Sequence, residues 1–300
     1  MDKLESMRAF VEVVNHNGFA AAGRHMDLSR SVVNKMVLQL EADLGVPLLQ
    51  RTTRRVSPTD VGRAYYERCL NILAEVEDAD QAIAQLHTEP KGTLRINAPM
   101  SFGTMHLAPA IAEFMRQYPA LQVQLTLSDR FIDLVEEGFD VTVRLATFDP
   151  DDTSLTRHLL TPISRILCAA PSYLEQWGIP TQPSDLHDHD CLHYGHLATG
   201  SQWRLIDNDG KRQSVLIRSR YCSNNGEALR DAAIKGVGIA LLPTFMLKDA
   251  LTRQTLQPIM TDYTPLPISA FVAYLPNRHL STKVQALTAF LQDWFSETEW

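Results

Sequence analysis

The hydrophobic pattern of residues 19–59 predicts two helices joined by a turn and followed by a short hairpin. Small side chains after Phe19 open the first helix, and the polar turn ends at Ser29, a residue type that caps helices well. Apolar residues then recur every three or four positions, which predicts one buried face, and Gly45 ends the second helix. This buried face comprises Val33, Met36, Val37, Leu40 and Leu44.

The opposite face of the second helix is polar, and the hairpin that follows is rich in arginine. The second helix of a helix-turn-helix enters the major groove of DNA, while flanking side chains hold the phosphates. Arginine suits phosphate because its planar fork donates two parallel hydrogen bonds. A merely solvated helix face is the alternative interpretation. We predict DNA contacts from Ser29, Arg30, Ser31, Asn34, Lys35, Gln39, Arg51, Thr53, Arg54 and Arg55.

A long helix is predicted from Thr59 to His87, because this segment contains no glycine after Gly62 and the next proline is Pro90. Apolar side chains recur in it at spacings of four and three, as in a coiled-coil seam. A helix of about 29 residues is about 43 Å long and has no core of its own. We therefore predict that it pairs with a second copy, and the alternative is packing along its own chain. The seam comprises Val61, Tyr65, Cys69, Ile72, Val76, Ala79, Ile83 and Leu86.

From Lys91 onward the pattern changes to alternating strands and helices. Residues 121–127 alternate apolar and polar side chains with a period of two, and a further helix is predicted from Phe131 to Gly138. The β-α-β-α-β order predicts a mostly parallel sheet with right-handed crossovers, and the pattern starts again after Pro162. The predicted fold class is α/β behind an all-α N-terminal winged helix-turn-helix.

Composition and charge fit a small DNA-binding domain attached to a larger acidic one. The chain has 300 residues, enough for about two domains, and no apolar run reaches the roughly 18 residues of a membrane span. The net charge is −7, but residues 1–58 hold eight Lys/Arg against six Asp/Glu, a net +2, which leaves −9 for the remainder. The N-terminal pattern is amphipathic and unlike a signal peptide, so we expect a cytoplasmic protein that contacts no membrane.

The motifs of the N-terminal domain resemble those of the LysR-type transcriptional regulators. Leu28-Ser29, residues 40–45 and residues 51–55 match that family's winged helix-turn-helix, and the resemblance extends over the whole chain. Asn34-Lys35 stands where the family often has Ser-Arg in the recognition helix. We therefore expect the family's fold with a different preferred base sequence.

The resemblance implies three segments: a DNA-binding domain at 1–58, a linker helix at 59–90 and an effector-binding domain at 91–300. The last would have two lobes similar to a periplasmic binding protein, 91–161 with 267–300, and 162–266. Two subunits would pair through residues 59–87, and dimers would associate into a homotetramer on double-stranded DNA. A small-molecule effector between the lobes would control transcription, with RNA polymerase as a further partner.

Candidate effector contacts lie at strand ends, because open α/β sheets bind ligands at the carboxyl ends of their strands. The resemblance places effector contacts at positions that match Ser101, Ser128 and the region of Asn224. Arg144 is the expected charge partner of an anionic organic metabolite, such as a carboxylate, although it can instead pair with a nearby acid. Capping or turn chemistry is the ordinary alternative for each such side chain. The candidates are Met100, Ser101, Phe102, Ser128, Arg144, Phe148, His193, Asn224 and Asn225.

No metal and no cofactor are expected. The run from His187 to His193 is dense in metal-ligating residue types, but its spacing matches no tetrahedral zinc pattern, and alternation along a strand would split it between two faces. The four cysteines show no close pairing, and a redox switch between Cys191 and Cys222 is a minor alternative.

Two other classes of function compete with a regulator. An enzyme with an attached DNA-binding domain would need a catalytic constellation, and the chain has no Gly-x-Ser-x-Gly motif, phosphate loop or dinucleotide fingerprint. A solute-binding protein would leave the N-terminal motifs unexplained and lacks an export signal. We therefore expect a ligand-responsive regulator and not an enzyme.

Overall fold

The computed structural model describes residues 2–51, 56–84, 89–130, 132–134, 137–147, 154–195, 202–276, 278 and 281–296, and gives side-chain surroundings for all of these except 51, 75 and 77–84. The chain divides into two compact units. The head unit comprises Met1–Thr88 and Leu280–Thr282, and the body unit comprises Glu89–His279 and Lys283–Trp300.

The head unit starts with three helices, continues into a hairpin and ends in a longer helix. Its elements are α1 (Lys3–Asn15), α2 (Phe19–His25), α3 (Arg30–Leu44), β1 (Leu49–Arg51), β2 (Val56–Pro58) and α4 (Asp60–Ala84). The two strands pair antiparallel, with Gln50 opposite Ser57. The predicted helix-turn-helix and hairpin strands are confirmed, whereas the predicted end of α4 at His87 lies outside the described residues.

The predicted cap, stop and buried face of α3 are confirmed. Ser29 accepts a hydrogen bond from the Val32 amide at 3.3 Å, and Gly45 ends the helix at φ 70°, which favours glycine. Val33, Met36, Val37 and Leu40 are buried in the core of the head unit, and the partly buried Leu44 packs against it.

The start of the hairpin is anchored tightly to both neighbouring helices. One carboxylate oxygen of Glu41 accepts hydrogen bonds from the amides of Leu48 and Leu49 at 2.8 and 3.0 Å. A Cβ atom on Gly62 in α4 would lie 1.9 Å from the Leu48 carbonyl oxygen, so no larger residue fits there without a backbone shift. Thr59 accepts a hydrogen bond from the Gly62 amide at 2.9 Å.

α4 has two apolar faces, whereas the sequence predicted one seam. Cys69 and Leu73 are buried in the head core, but Val61 and Ile72 are exposed. The first two steps of the seam are both four residues long, and each such step turns the stripe by about 40° around a helix. Cys69 therefore joins the core shared with α1, and its prediction as a pairing residue is wrong.

The first lobe of the body unit draws its strands from both ends of that unit. Its elements are β3 (Gly92–Ala98), α5 (Met100–Phe102), a π-helical turn (Gly103–Leu107), α6 (Ala108–Gln117), β4 (Leu121–Leu127), β5 (Val141–Ala146), β6 (Thr156–Ile163), β15 (Ile268–Tyr274) and α10 (Thr282–Ser296). The sheet order is β4-β3-β5-β15-β6. Both neighbours of β3 run parallel to it, and both neighbours of β15 run antiparallel to that strand.

The second lobe contains a similar sheet and a smaller one. Its elements are β7 (Arg165–Ala169), α7 (Pro171–Trp177), a 3-10 turn (Pro183–Asp188), β8 (Asp190–Tyr194), β9 (Gln202–Asp207), β10 (Arg212–Leu216), β11 (Arg218–Ser223), α8 (Gly226–Ile234), β12 (Ile239–Pro243), a 3-10 turn (Thr244–Met246), α9 (Lys248–Thr252), β13 (Gln257–Ile259) and β14 (Tyr263–Pro265). The five-stranded order is β11-β8-β12-β7-β13, and β10-β9-β14 form an antiparallel sheet.

Two details of the predicted body are wrong. Each five-stranded sheet has two parallel and two antiparallel strand pairs, because strands that arrive from the other lobe insert with reversed direction. The helix predicted at Phe131 to Gly138 is absent from the described residues there, which form turns and irregular chain. Gly138 has φ 69°, and so short a segment gains few helical hydrogen bonds.

The chain crosses between the lobes twice, after β6 and after β14. Arg165 lies just after the first crossing, and its guanidinium donates a hydrogen bond of 2.5 Å to the carbonyl of Leu266 at the second. The two crossings are thereby tied to each other, and the predicted two-lobed architecture is confirmed.

Candidate DNA-reading face and effector cleft

The polar face of α3 stands in solvent, as a surface that reads DNA requires. Ser29, Arg30, Ser31, Lys35 and Gln39 are exposed, and Asn34 is half-buried. The hairpin arginines are described less fully. Arg51 is described only in its backbone, and Thr53, Arg54 and Arg55 lie outside the described residues.

Some polar side chains of this face already make bonds within the helix. The hydroxyls of Ser29 and Ser31 lie 2.9 Å apart, and Gln39 donates to the Asp43 carboxylate at 2.8 Å. These bonds fix side-chain orientation and reduce what each group can offer to a base. Arg30 and Lys35 are the exposed cations of the helix.

In the body unit, the starts of two helices meet between the lobes. Ser101 lies in the first turn of α5, which follows β3, and Gly226 opens α8, which follows β11. A Cβ atom on Gly226 would stand 3.8 Å from the Ser101 hydroxyl, and the Asn225 amide nitrogen lies 3.2 Å from the Met100 sulfur. The positive ends of two helix dipoles therefore lie close to each other.

A charged group lies beside these helix starts. Asp129, just after β4, accepts a hydrogen bond from the Met100 amide at 3.2 Å and another from the Tyr194 hydroxyl of the second lobe. Burial raises the pKa of Asp129, while these two bonds and the charge of Arg144 oppose that rise. Burial lowers the pKa of Arg144, while the charges of Asp129 and Glu137 oppose that fall. Arg144 and Asp129 thus form an oppositely charged couple at the cleft.

Several candidates have the ordinary capping or turn roles that the sequence left open. Asn225 caps α8 by accepting a hydrogen bond from the Ala228 amide at 2.9 Å. The Ser128 hydroxyl accepts from the Arg130 amide at 3.4 Å, as in a turn. Asn224 is exposed, and Phe148 lies outside the described residues.

Two other candidates lie in the interior. Phe102 is fully buried, with ring contacts at 5.8 Å to Phe245 and 5.5 Å to Phe295. His193 is 8% exposed, burial lowers its pKa, and alternation along β8 directs it away from the side that carries Tyr194. Ser101, at 7% exposed, is buried to the same degree as His193, so burial alone does not separate these candidates.

The sequence reasoning missed Asp129, Tyr194 and Gly226. Asp129 and Tyr194 each lie one residue beyond a predicted candidate, two residues after the end of β4 and at the end of β8. Including one more residue after each candidate at these strand ends would have found both. Gly226 had no such signal, because its importance depends on the close approach of Met246, whose Cε would lie 2.8 Å from an added Cβ.

Two residues of the histidine-rich run, His189 and Asp190, make structural contacts. His189 is buried, and its Nδ1 lies 3.2 Å from the Tyr173 hydroxyl. Asp190 pairs with Arg218 and Arg220 at 3.0 and 2.7 Å.

All four cysteines are free thiols, Cys191 and Cys222 among them. Burial raises the pKa of Cys191 to about 12, so this thiol stays protonated and unreactive at neutral pH.

In the part of the chain that the structure describes, no helix is long and apolar enough to cross a membrane.

Comparison with known proteins identifies the class. Residues 87–296 match the family described as "LysR substrate binding domain", and residues 4–63 match "Bacterial regulatory helix-turn-helix protein, lysR family". The chain therefore belongs to the LysR-type transcriptional regulators, with a DNA-binding helix-turn-helix and an effector-binding domain. Members of this family bind DNA and small-molecule effectors and form oligomers.

Three similar proteins cover nearly the whole chain. An uncharacterized HTH-type transcriptional regulator of Haemophilus influenzae is 35% identical over 96% of this chain and 99% of that protein. The HTH-type transcriptional activator TtdR of Escherichia coli is 34% identical over 97% of this chain and 93% of that protein. The structure of CrgA, a LysR-type regulator from Neisseria meningitidis, matches with a TM-score of 0.59 and 27% identity, covering 97% of this chain and 98% of CrgA.

Proposed function

We propose that the chain regulates transcription in response to a small anionic metabolite, such as a carboxylate, bound between the two lobes of the body unit. In this proposal residues 1–58 read double-stranded DNA, 59–90 form the linker helix and 91–300 bind the effector, with lobes at 91–161 with 267–300 and at 162–266. The observation that carries the proposal is the meeting of the starts of α5 and α8, with Ser101 and Gly226 across the cleft.

The chemistry of the cleft favours a ligand with an acceptor group. Amides in the first turn of a helix have no acceptor within that helix, and the dipole adds positive potential there. Ser101 adds a hydroxyl, and Arg144 adds a positive charge. Asp129 partly neutralises that charge, which disfavours a second anion unless the ligand competes with Asp129 for Arg144. We therefore place the ligand's anionic group at Ser101 and beside Arg144.

The Tyr194 bond to Asp129 and the Asn225 contact with Met100 join the two lobes. A ligand that binds one arrangement of the lobes more tightly shifts the population toward that arrangement, and the coupling cannot exceed the difference in affinity. In our proposal α4 transmits this shift to paired DNA-binding domains through the exposed stripe that contains Val61 and Ile72. Tetramer assembly and contact with RNA polymerase complete the proposed mechanism.

Binding to DNA separates this proposal from the two competing classes. A solute-binding protein or an enzyme predicts no sequence-specific DNA complex. A DNA reader should bind its operator, with an affinity that falls steeply as salt rises because cations are released from DNA. Fluorescence anisotropy of the full chain on upstream DNA, titrated at several salt concentrations, gives that measurement.

The effector site is tested by a thermal-shift screen of the full chain against small carboxylates, aromatic acids, amino acids and sugars. A ligand at one hundred times its dissociation constant adds about 2.7 kcal/mol to stability. We expect a selective carboxylate hit that is weakened at least tenfold in Ser101→Ala and Arg144→Ala. An unchanged response in both variants, with both folded, would remove the ligand from this cleft.

A further inference from the structure

Three side chains of the head unit converge in the way that a metal ion requires. Glu12 lies in α1, His16 is the cap residue directly after that helix, and His25 is the last residue of α2. The Nε2 atoms of His16 and His25 lie 3.2 and 3.5 Å from the same oxygen of Glu12, Oε2. All three potential ligand atoms lie within 4.8 Å of one another.

Hydrogen bonding does not account for this arrangement. The Oε2 atom of Glu12 is buried and accepts no hydrogen bond from any residue that the structure describes, although two ring nitrogens stand beside it. A buried carboxylate oxygen without a hydrogen bond costs stability unless a cation compensates for it. The convergence of one such oxygen and two imidazole nitrogens therefore matches the donor set of a cation site.

The distances fit a small tetrahedral ion. Zinc binds histidine nitrogen and carboxylate oxygen at about 2.0–2.1 Å, so two ligand atoms of a tetrahedral site lie about 3.3 Å apart. The two distances from the Glu12 oxygen, 3.2 and 3.5 Å, bracket that value. The imidazole rings are 4.9 Å apart between centroids, and the exposed His25 side chain has room to turn its nitrogen inward.

The ligand types select among metals. Magnesium and calcium prefer oxygen ligands, whereas imidazole suits zinc and its neighbours in the first transition row. We propose that Glu12, His16 and His25 bind a divalent transition-metal ion, Zn²⁺ in the first instance, with water at the fourth position. Such an ion joins the end of α1 to the end of α2, the helix that immediately precedes the turn into α3.

The expected consequence is a head unit that metal stabilises further. α1, α2 and α3 share one hydrophobic core, so an ion that fixes two of them limits the movement of the third. The site lies outside the effector cleft and does not depend on the proposed effector.

The test is isothermal titration calorimetry of the full chain with ZnCl₂, after a chelator has removed any bound metal. We expect one tight site per chain, and its loss or a weakening of at least tenfold in Glu12→Gln, His16→Asn and His25→Asn, since even outer-shell changes cost about 10–100-fold. His187→Asn is the matched control, because His187 is an exposed histidine of the body unit. This variant should bind zinc like the unaltered chain.

Thermal melting provides a second readout. Zinc should raise the melting temperature of the head unit in the unaltered chain and in His187→Asn, but not in His16→Asn or His25→Asn. Both of these side chains are exposed, at 39% and 62%, so the variants should fold without metal. The proposal is overturned by an absence of zinc binding, by undiminished binding in the His25→Asn variant, or by loss of binding in His187→Asn.

Discussion

The DNA-reading face and the effector cleft differ in how far apart in the sequence their parts lie. The face is carried by a single helix, α3, whose cap, stop and buried stripe all lie within residues 29–45. The cleft joins the ends of β4, β5 and β8 to the starts of α5 and α8, and its Met100–Asn225 contact spans 125 residues. Local rules therefore describe the first site, whereas the second exists only through tertiary packing.

A polar side chain caps a helix at both sites, but the two capping residues differ in their other contacts. Ser29 caps α3 from an exposed position, and its hydroxyl also lies 2.9 Å from that of the neighbouring Ser31. Asn225 caps α8 with its oxygen and reaches Met100 of the other lobe with its nitrogen. A side chain at the cleft thus carries a local and a long-range role at once. Substitutions that separate the two roles can test this difference.

The largest effect is expected where the head unit depends on a close backbone approach. In Gly62→Ala the added Cβ would lie 1.9 Å from the Leu48 carbonyl oxygen, so the backbone must shift. We expect a loss of about 3 kcal/mol in the unfolding free energy of the head unit, the upper part of the usual range for overpacking. Denaturant unfolding followed by circular dichroism measures this loss.

Gly18→Ala is the matched control for that change, because a Cβ atom on Gly18 meets nothing within 4 Å. It should alter stability by less than about 1 kcal/mol. Equal effects of the two substitutions would mean that close packing between α4 and the hairpin does not hold this unit together.

The next largest effect concerns the exposed cations of α3. Arg30→Ala and Lys35→Ala should each weaken operator binding by about 1–2 kcal/mol, roughly a factor of ten. If the substituted side chain binds a phosphate, its removal should also lower the salt dependence by about one unit of slope. If it binds a base, its removal should instead relax the sequence preference. Anisotropy titrations on operator and scrambled DNA distinguish the two.

Lys248→Ala removes the same charge from an exposed position of the body unit and serves as the control. Its operator affinity should match that of the unaltered chain. If it weakens binding as much as Lys35→Ala does, the effect comes from net charge and not from the face of α3.

The sequence predicted the head unit more fully than the body unit for a physical reason. Ser29, Gly45 and the buried stripe of α3 are fixed by bonds and periodicity within a few turns. The two faces of α4 are also visible in the sequence, because the consecutive four-residue steps that end at Cys69 do not fit the single coiled-coil seam that we predicted. Asp129 follows β4 of one lobe and Tyr194 ends β8 of the other, so the two side chains meet only through tertiary packing, which no local pattern records.

A smaller effect is expected from the cap of the reading helix. Ser29→Ala removes the acceptor for the Val32 amide and should cost about 1 kcal/mol of head-unit stability. Ser29→Asn restores a good cap and should recover most of that loss. Thermal melts of the two variants beside the unaltered chain measure the difference, and equal melting temperatures for both variants would assign Ser29 no capping role.

The smallest effect, and the sharpest test of the comparison, is expected at Asn225. Asn225→Ser keeps a capping oxygen for the Ala228 amide but removes the amide nitrogen that reaches Met100. Since serine caps about as well as asparagine, body-unit stability should change by only a few tenths of a kcal/mol. Asn225→Ala removes both roles and should cost about 1 kcal/mol.

Because the contact with Met100 joins the lobes, the serine variant should still alter effector affinity, measured by titration with a ligand found in the screen. An effector affinity unchanged in Asn225→Ser but weakened in Asn225→Ala would show that the cap alone matters, and the cleft would then follow the same local rules as α3.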